Sequence, residues 1–594
     1  MNIRVGGSAG QGGASTGETI AKTFSRHGLT VNTYTSYQSA IRGGHNWITI
    51  NASDYETYSQ GDGLDILIAL NRETLEIHAT QINQGGGIIY DINSIRDVDT
   101  LVRPDVKRYG LPINELATKS VDIIAEKYGK DLAQKFGKLP IQNTIMMGTL
   151  TKLLNLKLDV LAGVLETIFG NKKAQVVEFN IDAATRGYGY TETNFQEYGD
   201  RLNFTYQPKI LMTGNQAVSL AAVAAGCKFY AAYPMTPASS ILHWMASHSK
   251  KYGVLVKQAE DELAVINMTI GASHVGARAM CGTSGGGFSL MTEAVSMAGM
   301  TETPIVIIES QRAGPSTGLP TKTEQADLLL VMGAGQGDYP RIIMAPRTVD
   351  ECFYSTVEAF NLADKYQCPV IMVLDLYLSE HYETIDQLDF NVNIDRGMLI
   401  DGNGGDQGYK RFAYSESGIS PRALPGQPGN IFLTSTDEHD EAGNNVSDVL
   451  AGIPKYVEVR ARMMEKRMKK MDLAKTEMQP PSILGPQDAA ITIVGWGSTW
   501  GQIKDAINIL AQDGITANSI QFKYVWPFRD EESEALLNSC KNLLLVEGNY
   551  TGQFGKLIRQ ETGVKIDNKL LKYDGEPIYP LEIVHKVREI LQNG

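Results

Sequence analysis

Short apolar runs alternate with amphipathic stretches along most of the chain, and this alternation predicts strands followed by helices. Near the start, the apolar run NIRVGG comes before a glycine-rich loop and the helix-like stretch TGETIAKTFSRHG. The middle of the chain carries three runs that are apolar throughout, as expected of strands buried on both faces of a parallel sheet: TPIVIIES, PRIIMAP and CPVIMVLDL. The pattern predicts an α/β fold with several parallel-sheet domains.

Composition divides the chain into four regions. Residues 1–195 and 205–385 both carry the alternating pattern, and the second region carries it more strongly. Residues 386–480 are rich in Gly, Asp, Asn and Pro, and they end in the basic stretch KYVEVRARMMEKRMKKMDLAK. We expect a linker followed by a surface helix. Because the protein is acidic overall, the basic stretch is better explained as a solvated helix face or a subunit contact than as a nucleic-acid-binding patch. Residues 481–594 form a last α/β unit.

Charge and cysteine content exclude several classes of protein. The net charge of −13 argues against non-specific nucleic-acid binding. No run of about 18 apolar residues predicts a membrane span, and the first residues lack the features of a signal peptide, so we expect a cytoplasmic protein. The five cysteines form no C-x-x-C pair, and we expect each to be an apolar filler: Cys227, Cys281, Cys352, Cys368 and Cys540.

The first glycine loop, VGGSAGQGGASTG, lies between a predicted strand and a predicted helix. Backbone amides at such a place can hold a phosphate, with Gly10 and Gly12 allowing close approach and Arg42 adding charge. The spacing matches neither G-x-x-x-x-G-K-[ST] nor G-x-G-x-x-G, so a structural turn is an equal alternative. A second glycine motif, Gly61-Asp62-Gly63, precedes its strand rather than following one, and we interpret it as a turn and not as a metal site.

Three stretches in residues 205–385 carry candidate chemistry. The loop YPMTPASS presents the hydroxyl of Thr236 after a strand, although Thr236 could instead cap the next helix. The stretch QAEDELAVINMTIGAS predicts a helix with Glu262 facing inward together with Ala264, Ile266 and Gly271. The alternative for Glu262 is an exposed first-turn charge.

The third stretch, QRAGPSTGLPT, places a single arginine in a loop of small residues that allows close approach. The planar fork of Arg312 suits a carboxylate. The alternative is a structural ion pair with Glu309.

Together these stretches, with GTSGGGFSLMTEA and TKTEQADL, closely resemble the α subunit of 2-oxoacid:ferredoxin oxidoreductases, in the form that carries a γ domain ahead of α. The resemblance covers essentially the whole chain. It implies a γ-type domain, a domain that binds the pyrimidine of thiamine diphosphate, and a transketolase C-terminal-like domain. The sequence departs from the family at Ala9, where a glycine is usual, and in YPMTPASS, where YPITPSS is commoner.

The resemblance also implies a set of roles. Glu262 would contact the aminopyrimidine, with Glu260 as the alternate, and Arg312 would bind the carboxylate of a 2-oxo acid beside Thr236. Thr321 would line the substrate pocket. Further cofactor contacts would come from Tyr233, Pro234 and Met235 and, toward coenzyme A, from Gly10, Gly12 and Arg42.

The partners implied by the resemblance are a β subunit that supplies magnesium and a [4Fe-4S] cluster, and ferredoxin as the electron acceptor, in an αβ or (αβ)2 assembly. The motifs resemble 2-oxoglutarate enzymes most, while pyruvate and branched-chain forms share them. A thiamine enzyme without redox chemistry and a non-catalytic binding subunit are the rival functions. The physiological direction of the reaction stays open.

Overall fold

The computed structural model describes residues 1–38, 44–129, 138–170, 174–199, 202–400, 408–446 and 454–593. The chain forms two compact units. One comprises Met1–Met212, His381–Gln387 and Tyr579–Leu581, and the other comprises Thr213–Glu380, Leu388–Ile578 and Glu582–Gly594. Within the described ranges, none of the helices has the length and apolar character needed to cross a bilayer.

The first unit is built on an eight-stranded sheet. Its strands are β1 (Asn2–Ser8), β2 (Thr30–Ser36), β3 (His45–Ser53), β4 (Leu64–Ala69), β5 (Ile82–Asp91), β6 (Lys107–Leu111), β7 (Ile210–Thr213) and β14 (Tyr382–Ile385). They lie in the order β6-β5-β4-β1-β3-β2-β14-β7. Strands β1, β4, β5 and β6 are parallel neighbours, whereas β3 is antiparallel to both β1 and β2.

Helices cover this sheet and complete its core. They are α1 (Gly13–Arg26), α2 (Arg72–His78), α3 (Val98–Leu101), α4 (Ile113–Tyr128), α5 (Lys138–Leu153), α6 (Leu158–Phe169) and α7 (Ala174–Asn194). Side chains of α1, α4, α5, α6 and α7 share one buried apolar cluster with strands of the sheet. A second cluster lies between α2, α3 and strands β4 and β5.

The second unit contains two further sheets. The seven-stranded sheet has the order β18-β12-β13-β11-β10-β8-β9, and the five-stranded sheet has the order β15-β17-β16-β19-β20. The strands are β8 (Cys227–Ala232), β9 (Leu255–Gln258), β10 (Arg278–Thr283), β11 (Ile305–Gln311), β12 (Ile342–Met344), β13 (Pro369–Asp375), β15 (Ile483–Leu484), β16 (Ile491–Trp496), β17 (Ala517–Phe522), β18 (Tyr524–Trp526), β19 (Leu543–Glu547) and β20 (Asn568–Leu571).

Twelve described helices accompany these two sheets. They are α8 (Gly214–Ala224), α9 (Ser239–Tyr252), α10 (Glu262–His274), α11 (Gly285–Met300), α12 (Leu328–Met332), α13 (Val349–Tyr366), α14 (Leu376–Glu380), α15 (Pro454–Glu477), α16 (Thr499–Gln512), α17 (Asp530–Asn538), α18 (Gln553–Thr562) and α19 (Pro580–Asn593). One apolar cluster includes side chains from both sheets. Strand β18 joins them, since it follows β17 in the chain and pairs with β12.

The predicted α/β class is confirmed, and the predicted apolar strands correspond to β1, β11, β12 and β13. The first sheet is mixed rather than parallel, because β2 and β3 enter it antiparallel to their neighbours. These two strands, TVNTYTS and HNWITINAS, are rich in polar residues, so an apolar-run criterion misses them. The Gly61-Asp62-Gly63 turn is confirmed, with both glycines at positive φ and Asp62 accepting from the backbone N–H of Leu581.

The expectation of a basic surface helix needs correction on one face of α15. Lys466, Arg467 and Lys470 are buried. Lys466 Nζ and Lys470 Nζ lie 2.7 and 2.9 Å from the carboxylate of Glu302. A buried charge needs a partner, and these contacts anchor the helix to the second unit. The apolar-filler prediction holds for four cysteines, while Cys540 is only partly buried.

Candidate active site

Four strands of the seven-stranded sheet end at one edge and deliver the candidate residues there. Strands β8 and β9, β8 and β10, and β10 and β11 are parallel neighbours. The segments that follow them begin with Tyr233 after β8, lead to Glu262 after β9, and begin with Ser284 after β10 and Arg312 after β11. Ligands bind at the carboxyl ends of open parallel sheets, so this topology places the predicted residues where a site is expected.

Arg312 and Thr236 are brought into contact. The Nη1 atom of Arg312 donates to the backbone oxygen of Thr236 at 3.0 Å. Glu309, the alternative partner, lies instead within hydrogen-bonding reach of Asp327. Burial lowers the pKa of Arg312. The ordinary pKa of a guanidinium is so high that the side chain keeps its positive charge.

Hydrogen bonds from the side chain of Asn215 hold the loop around Thr236. Asn215 Nδ2 donates to the oxygen of Pro237 and to Ser240 Oγ, both at 2.8 Å. Helix α9 begins at Ser239 with no side-chain cap. Thr236 therefore does not cap the next helix; it lies in the turn before that helix and contacts Arg312 through its backbone oxygen.

Glu262 is buried at the first position of α10, with 4% of its surface exposed. The side chain of Asp261 caps this helix by accepting from Ala264 N at 2.7 Å. Among the described residues, none is a hydrogen-bond partner of the Oε1 atom of Glu262. Burial raises the pKa of its carboxyl. A Cβ at Gly287 would lie 2.5 Å from that oxygen, so the glycine leaves room for the carboxyl. The exposed first-turn alternative is wrong for Glu262.

The buried face of α10 differs in part from the predicted one. Ile266 is buried as predicted, but Ala264 is only partly buried and Gly271 is exposed. The buried residues are Glu262, Val265, Ile266, Thr269, Ile270 and Ser273. They recur every three or four positions, which is the spacing of one helix face.

The remaining predicted residues of this region differ in exposure. Glu260 is exposed in the turn before α10. Tyr233 is 40% exposed, Pro234 is exposed and Met235 is partly buried. Thr321 is buried. Only Glu262 of the two candidate glutamates therefore combines burial with an unsatisfied oxygen.

A cavity of about 640 Å³ lies beside Arg312. It is lined by the first turn of α11, by the loop of residues 314–316, by residues 324–330 and by residues 549–553. Tyr550 and Tyr573 stand at its side with ring centroids 4.9 Å apart. Ser284 lines the cavity too, and within the part of the chain that the structure describes its buried Oγ has no hydrogen-bond partner. The cavity is large enough for a small acid and polar enough to bind one.

Carboxyl groups line and underlie this cavity, and Arg312 lies near one of them, Asp327. Burial raises the pKa of Glu324 to about 7 and that of Asp327 to about 6. Glu309, fully buried behind Asp327, has a pKa raised well above its ordinary value by burial and by the carboxyl of Asp327. Perturbed acids of this kind cluster at functional sites.

The stretch that carries Asp327 is held by the five-stranded sheet. Gln325 N donates to Gly548 O at 2.6 Å, and its side chain bonds both Gly548 N and Trp496 O. Asn549 Nδ2 donates back to Gln325 O at 2.9 Å. The second half of the QRAGPSTGLPTKTEQADL motif is thus a docking segment that fixes one wall of the cavity.

In the first unit, the glycine loop forms the turn that leads into α1, with Gln11 N donating to Ser8 O at 3.0 Å. Gly10 and Gly12 have φ of 89° and 78°. Gly12 is the N-cap of α1, and no side chain caps that helix. Arg42 lies outside the described residues, while Gly44 beside it accepts a hydrogen bond from Ala9 N at 3.0 Å.

Sequence reasoning did not identify Ser284, Asp327 or Glu324 as site residues. All three line the cavity. Two signals were available, since Ser284 belongs to the stretch GTSGGGFSLMTEA and Asp327 is the last residue but one of the motif that begins at Gln311. Across the described ranges, no group of three or more metal-ligating side chains is present.

Three family profiles match the chain. Pyruvate ferredoxin/flavodoxin oxidoreductase matches residues 2–190. The thiamine diphosphate-binding domain of pyruvate flavodoxin/ferredoxin oxidoreductase matches residues 220–458. Core domain II of pyruvate:ferredoxin oxidoreductase matches residues 489–583.

Whole-chain relatives are similar as well. Subunit alpha of 2-oxoacid:ferredoxin oxidoreductase 2 from Aeropyrum pernix is 30% identical, over 100% of this chain and 98% of its own length. The 2-oxoglutarate oxidoreductase subunit KorA of Mycobacterium tuberculosis is 29% identical, over 99% and 91%. A solved structure of 2-oxoglutarate:ferredoxin oxidoreductase from Magnetococcus marinus, with 2-oxoglutarate, coenzyme A and succinyl-CoA bound, is 33% identical with a TM-score of 0.88 over 99% of both chains.

Proposed function

Because this chain belongs to the 2-oxoacid:ferredoxin oxidoreductase family, we propose that it is the α subunit of an enzyme acting on 2-oxoglutarate. The enzyme joins the acyl group to coenzyme A, releases carbon dioxide and passes two electrons to ferredoxin, and the reaction is reversible. The 2-oxoglutarate enzymes among its relatives support this substrate. The observation that carries the proposal is Arg312, held against Thr236 and lining the cavity.

Thiamine diphosphate fits the residues that are present. The buried Oε1 of Glu262 lacks a partner, and an aminopyrimidine nitrogen is a group that could complete it. When bound, thiamine diphosphate supplies a carbon nucleophile and an electron sink for decarboxylation. Glu262 would hold or release a proton at that nitrogen, a task suited to a carboxyl whose pKa is raised by burial. Glu260, exposed to solvent, is the weaker choice.

Arg312 orients the substrate. Its guanidinium offers a fork of donors to a carboxylate, and the small residues around it, Gly314 and Ser316 among them, line the cavity. Thr236 lies within hydrogen-bonding reach of Arg312, and its backbone oxygen accepts from the guanidinium and holds it in place. Thr321 belongs to the same loop and would line the pocket, while Tyr233, Pro234 and Met235 would contact the cofactor.

Coenzyme A would be held in part by the first unit. The uncapped amino terminus of α1 and the positive φ of Gly10 and Gly12 favour a phosphate there. Residues 1–195 would then form the γ-type domain, and residues 205–385 the pyrimidine-binding domain. Residues 386–480 would be the linker with its helix, and residues 481–594 the transketolase C-terminal-like domain.

The partners follow from the same assignment. A β subunit would supply magnesium and a [4Fe-4S] cluster, and ferredoxin would accept the electrons, in an αβ or (αβ)2 assembly. The name "subunit alpha" of the relatives supports a multi-subunit enzyme.

The test is to purify the tagged chain with its natural partner and to assay coenzyme A-dependent reduction of a viologen dye. The panel is 2-oxoglutarate, pyruvate and 2-oxoisovalerate. We expect the highest kcat/KM with 2-oxoglutarate. A preference for another acid would overturn the substrate, and reduction with none of them would overturn the redox function.

A further inference from the structure

Two carboxyl groups meet beneath the first turn of α11. Glu309 lies on β11 opposite Thr283 of β10 and is fully buried. Asp327 precedes α12 and lines the cavity. The Asp327 carboxylate packs so closely against Gly285 that a Cβ there would lie 2.2 Å from its Oδ2. Because Gly285 has no side chain, it leaves the space that the carboxylate of Asp327 occupies.

The two groups are within hydrogen-bonding reach of each other. No N–H or O–H group of the described residues donates to either oxygen of Glu309, so we infer that a proton lies between the two carboxyls. The other charged groups that influence them are Arg312, Glu324 and Asp375. Arg312, the cation among these, donates to Thr236 instead. Adjacent carboxyls in such a setting cannot both ionise and titrate as a pair.

The order of the two titrations follows from burial. Burial and the neighbouring Asp327 raise the pKa of Glu309 well above its ordinary value, whereas burial raises the pKa of Asp327 to about 6. Glu309 is fully buried, whereas Asp327 is partly exposed and lines the cavity, so the shared proton rests on Glu309, which donates it to Asp327. Asp327 is then an ionised carboxylate that faces the cavity and can accept one further proton.

Ser284 gives an independent sign that a ligand completes this wall. Its side chain is fully buried, it lines the cavity, and its Oγ has no hydrogen-bond partner. Ser284 is the N-cap of α11 but makes no capping bond. A buried hydroxyl that neither caps its helix nor bonds the protein needs a partner from outside.

The proposed function requires a proton acceptor for the thiol of coenzyme A, and the inference rests on that function. A 2-oxo acid anion and a thiol yield a thioester, carbon dioxide, two electrons and one proton. The proton is the one on sulfur: the S–H bond breaks, sulfur bonds the acyl carbon, and ferredoxin takes the electron pair through the partner. We propose that Asp327 accepts the thiol proton of coenzyme A and that Glu309 positions it by holding the permanent proton of the pair. Water in the cavity then removes the proton from Asp327.

The test uses the complex of the chain with its partner and separates two measurements. The first is carbon dioxide released from the 2-oxo acid without coenzyme A, per active site. The second is coenzyme A-dependent dye reduction between pH 5 and 8. Three variants are compared: Asp327→Asn, Glu309→Gln, and Asp338→Asn at an exposed aspartate beyond α12 as the control.

We expect Asp327→Asn to lower coenzyme A-dependent kcat by roughly 100-fold while carbon dioxide release stays within about twofold. The kcat of the wild type should fall as pH drops through about 6, and this limb should vanish in Asp327→Asn. Glu309→Gln keeps a donor toward Asp327, so it should keep the acid limb and lower kcat by less than Asp327→Asn does. Asp338→Asn should retain both the activity and the limb.

Three results would overturn the role of Asp327. They are normal turnover in Asp327→Asn, an unchanged acid limb, or an equal loss of carbon dioxide release, which would indicate general damage to the site. Loss of activity in Glu309→Gln equal to that in Asp327→Asn would overturn the division of roles. A wild-type complex with no turnover on any acid would instead overturn the proposed function, and this role with it.

Discussion

Glu302 and Glu309 are both fully buried, one just before strand β11 and one near its end, yet their surroundings are opposite. Lys466 and Lys470 lie within 2.9 Å of the Glu302 carboxylate. Together with Arg411 they hold the pKa of Glu302 below its ordinary value, against the effect of burial. Glu309 faces the carboxyl of Asp327 instead, and its pKa is raised.

This difference indicates that the buried acid Glu302 has a structural role and that the buried acid Glu309 has a chemical one. The group around Glu302 ties helix α15 to the body of the unit, and Asp364 does the same for the linker through Arg396 and Arg422. A carboxylate that is paired with cations in this way stays ionised. The acids near the cavity cost stability when ionised, and they are the groups that can exchange protons.

The largest expected effect lies at the unpaired acid Glu262. Glu262→Gln should lower kcat by roughly 10² to 10⁴-fold, the range for a lost proton-transfer group, while the thermal midpoint stays close to that of the wild type. Steady-state kinetics on the purified complex measure it. Glu260→Gln, at the exposed neighbour, is the matched control, and an equal loss there would reassign the role.

Breaking the paired acid should act on stability instead. Glu302→Gln leaves Lys466 and Lys470 buried without a counter-charge and should cost about 3–5 kcal/mol of unfolding free energy. Chemical denaturation of the chain measures it. Glu309→Gln should change stability by less than about 1 kcal/mol. Equal losses in the two variants would contradict the comparison.

The pH dependence of stability should differ in sign between the two groups. Asp327 has a raised pKa of about 6, so the folded state binds a proton more tightly than the unfolded state does. Its contribution to stability therefore grows by about 1 kcal/mol as pH falls from 7 to 5. Denaturation of wild type and Asp327→Asn at both values should show this difference.

Glu302 behaves in the opposite way, because its pKa is lowered. Its stabilisation is complete above the ordinary range of a glutamate and is lost only as pH falls below that range. Glu302→Gln should therefore show the same deficit at pH 7 and at pH 5. A deficit that shrinks between these values would contradict the assignment of Glu302 as a permanent anion.

The smallest expected effect lies in the other compact unit, at the glycine loop. Gly10 has a φ of 89°, and a Cβ there would meet nothing within 4 Å, so Gly10→Ala adds backbone strain alone. Strain of about 1 kcal/mol corresponds to a KM for coenzyme A raised several-fold. The KM for the 2-oxo acid should not change. A rise in both constants would argue against a coenzyme A contact.

Local sequence patterns were enough to predict much of the fold. Apolar runs such as those of β11 and β13 identify buried strands, and the carboxyl end of β11 leads directly to Arg312. Strands β2 and β3 escaped prediction because their polar residues hide the alternation. Their antiparallel pairing depends on partners that a local window does not contain.

The electrostatics could not be predicted, because they depend on contacts between distant residues. Lys466 is 164 positions from Glu302, and the sequence of α15 alone suggests a solvated basic helix. Asp327 and Glu309 are closer in sequence, but their contact depends on how the loop after Arg312 folds back over α11. Burial decides which acid is paired and which is not, and burial is a property of the fold.

The central claim is that Arg312 binds the carboxylate of a 2-oxo acid. The most direct measurement is kcat/KM for 2-oxoglutarate, at saturating coenzyme A, in the wild-type complex, in Arg312→Ala and in the control Arg588→Ala, whose side chain pairs with Asp513 at the surface. The account predicts a fall of roughly 100-fold in Arg312→Ala, as expected for a lost charged hydrogen-bond pair, and no change in the control. Wild-type kcat/KM in Arg312→Ala would contradict it.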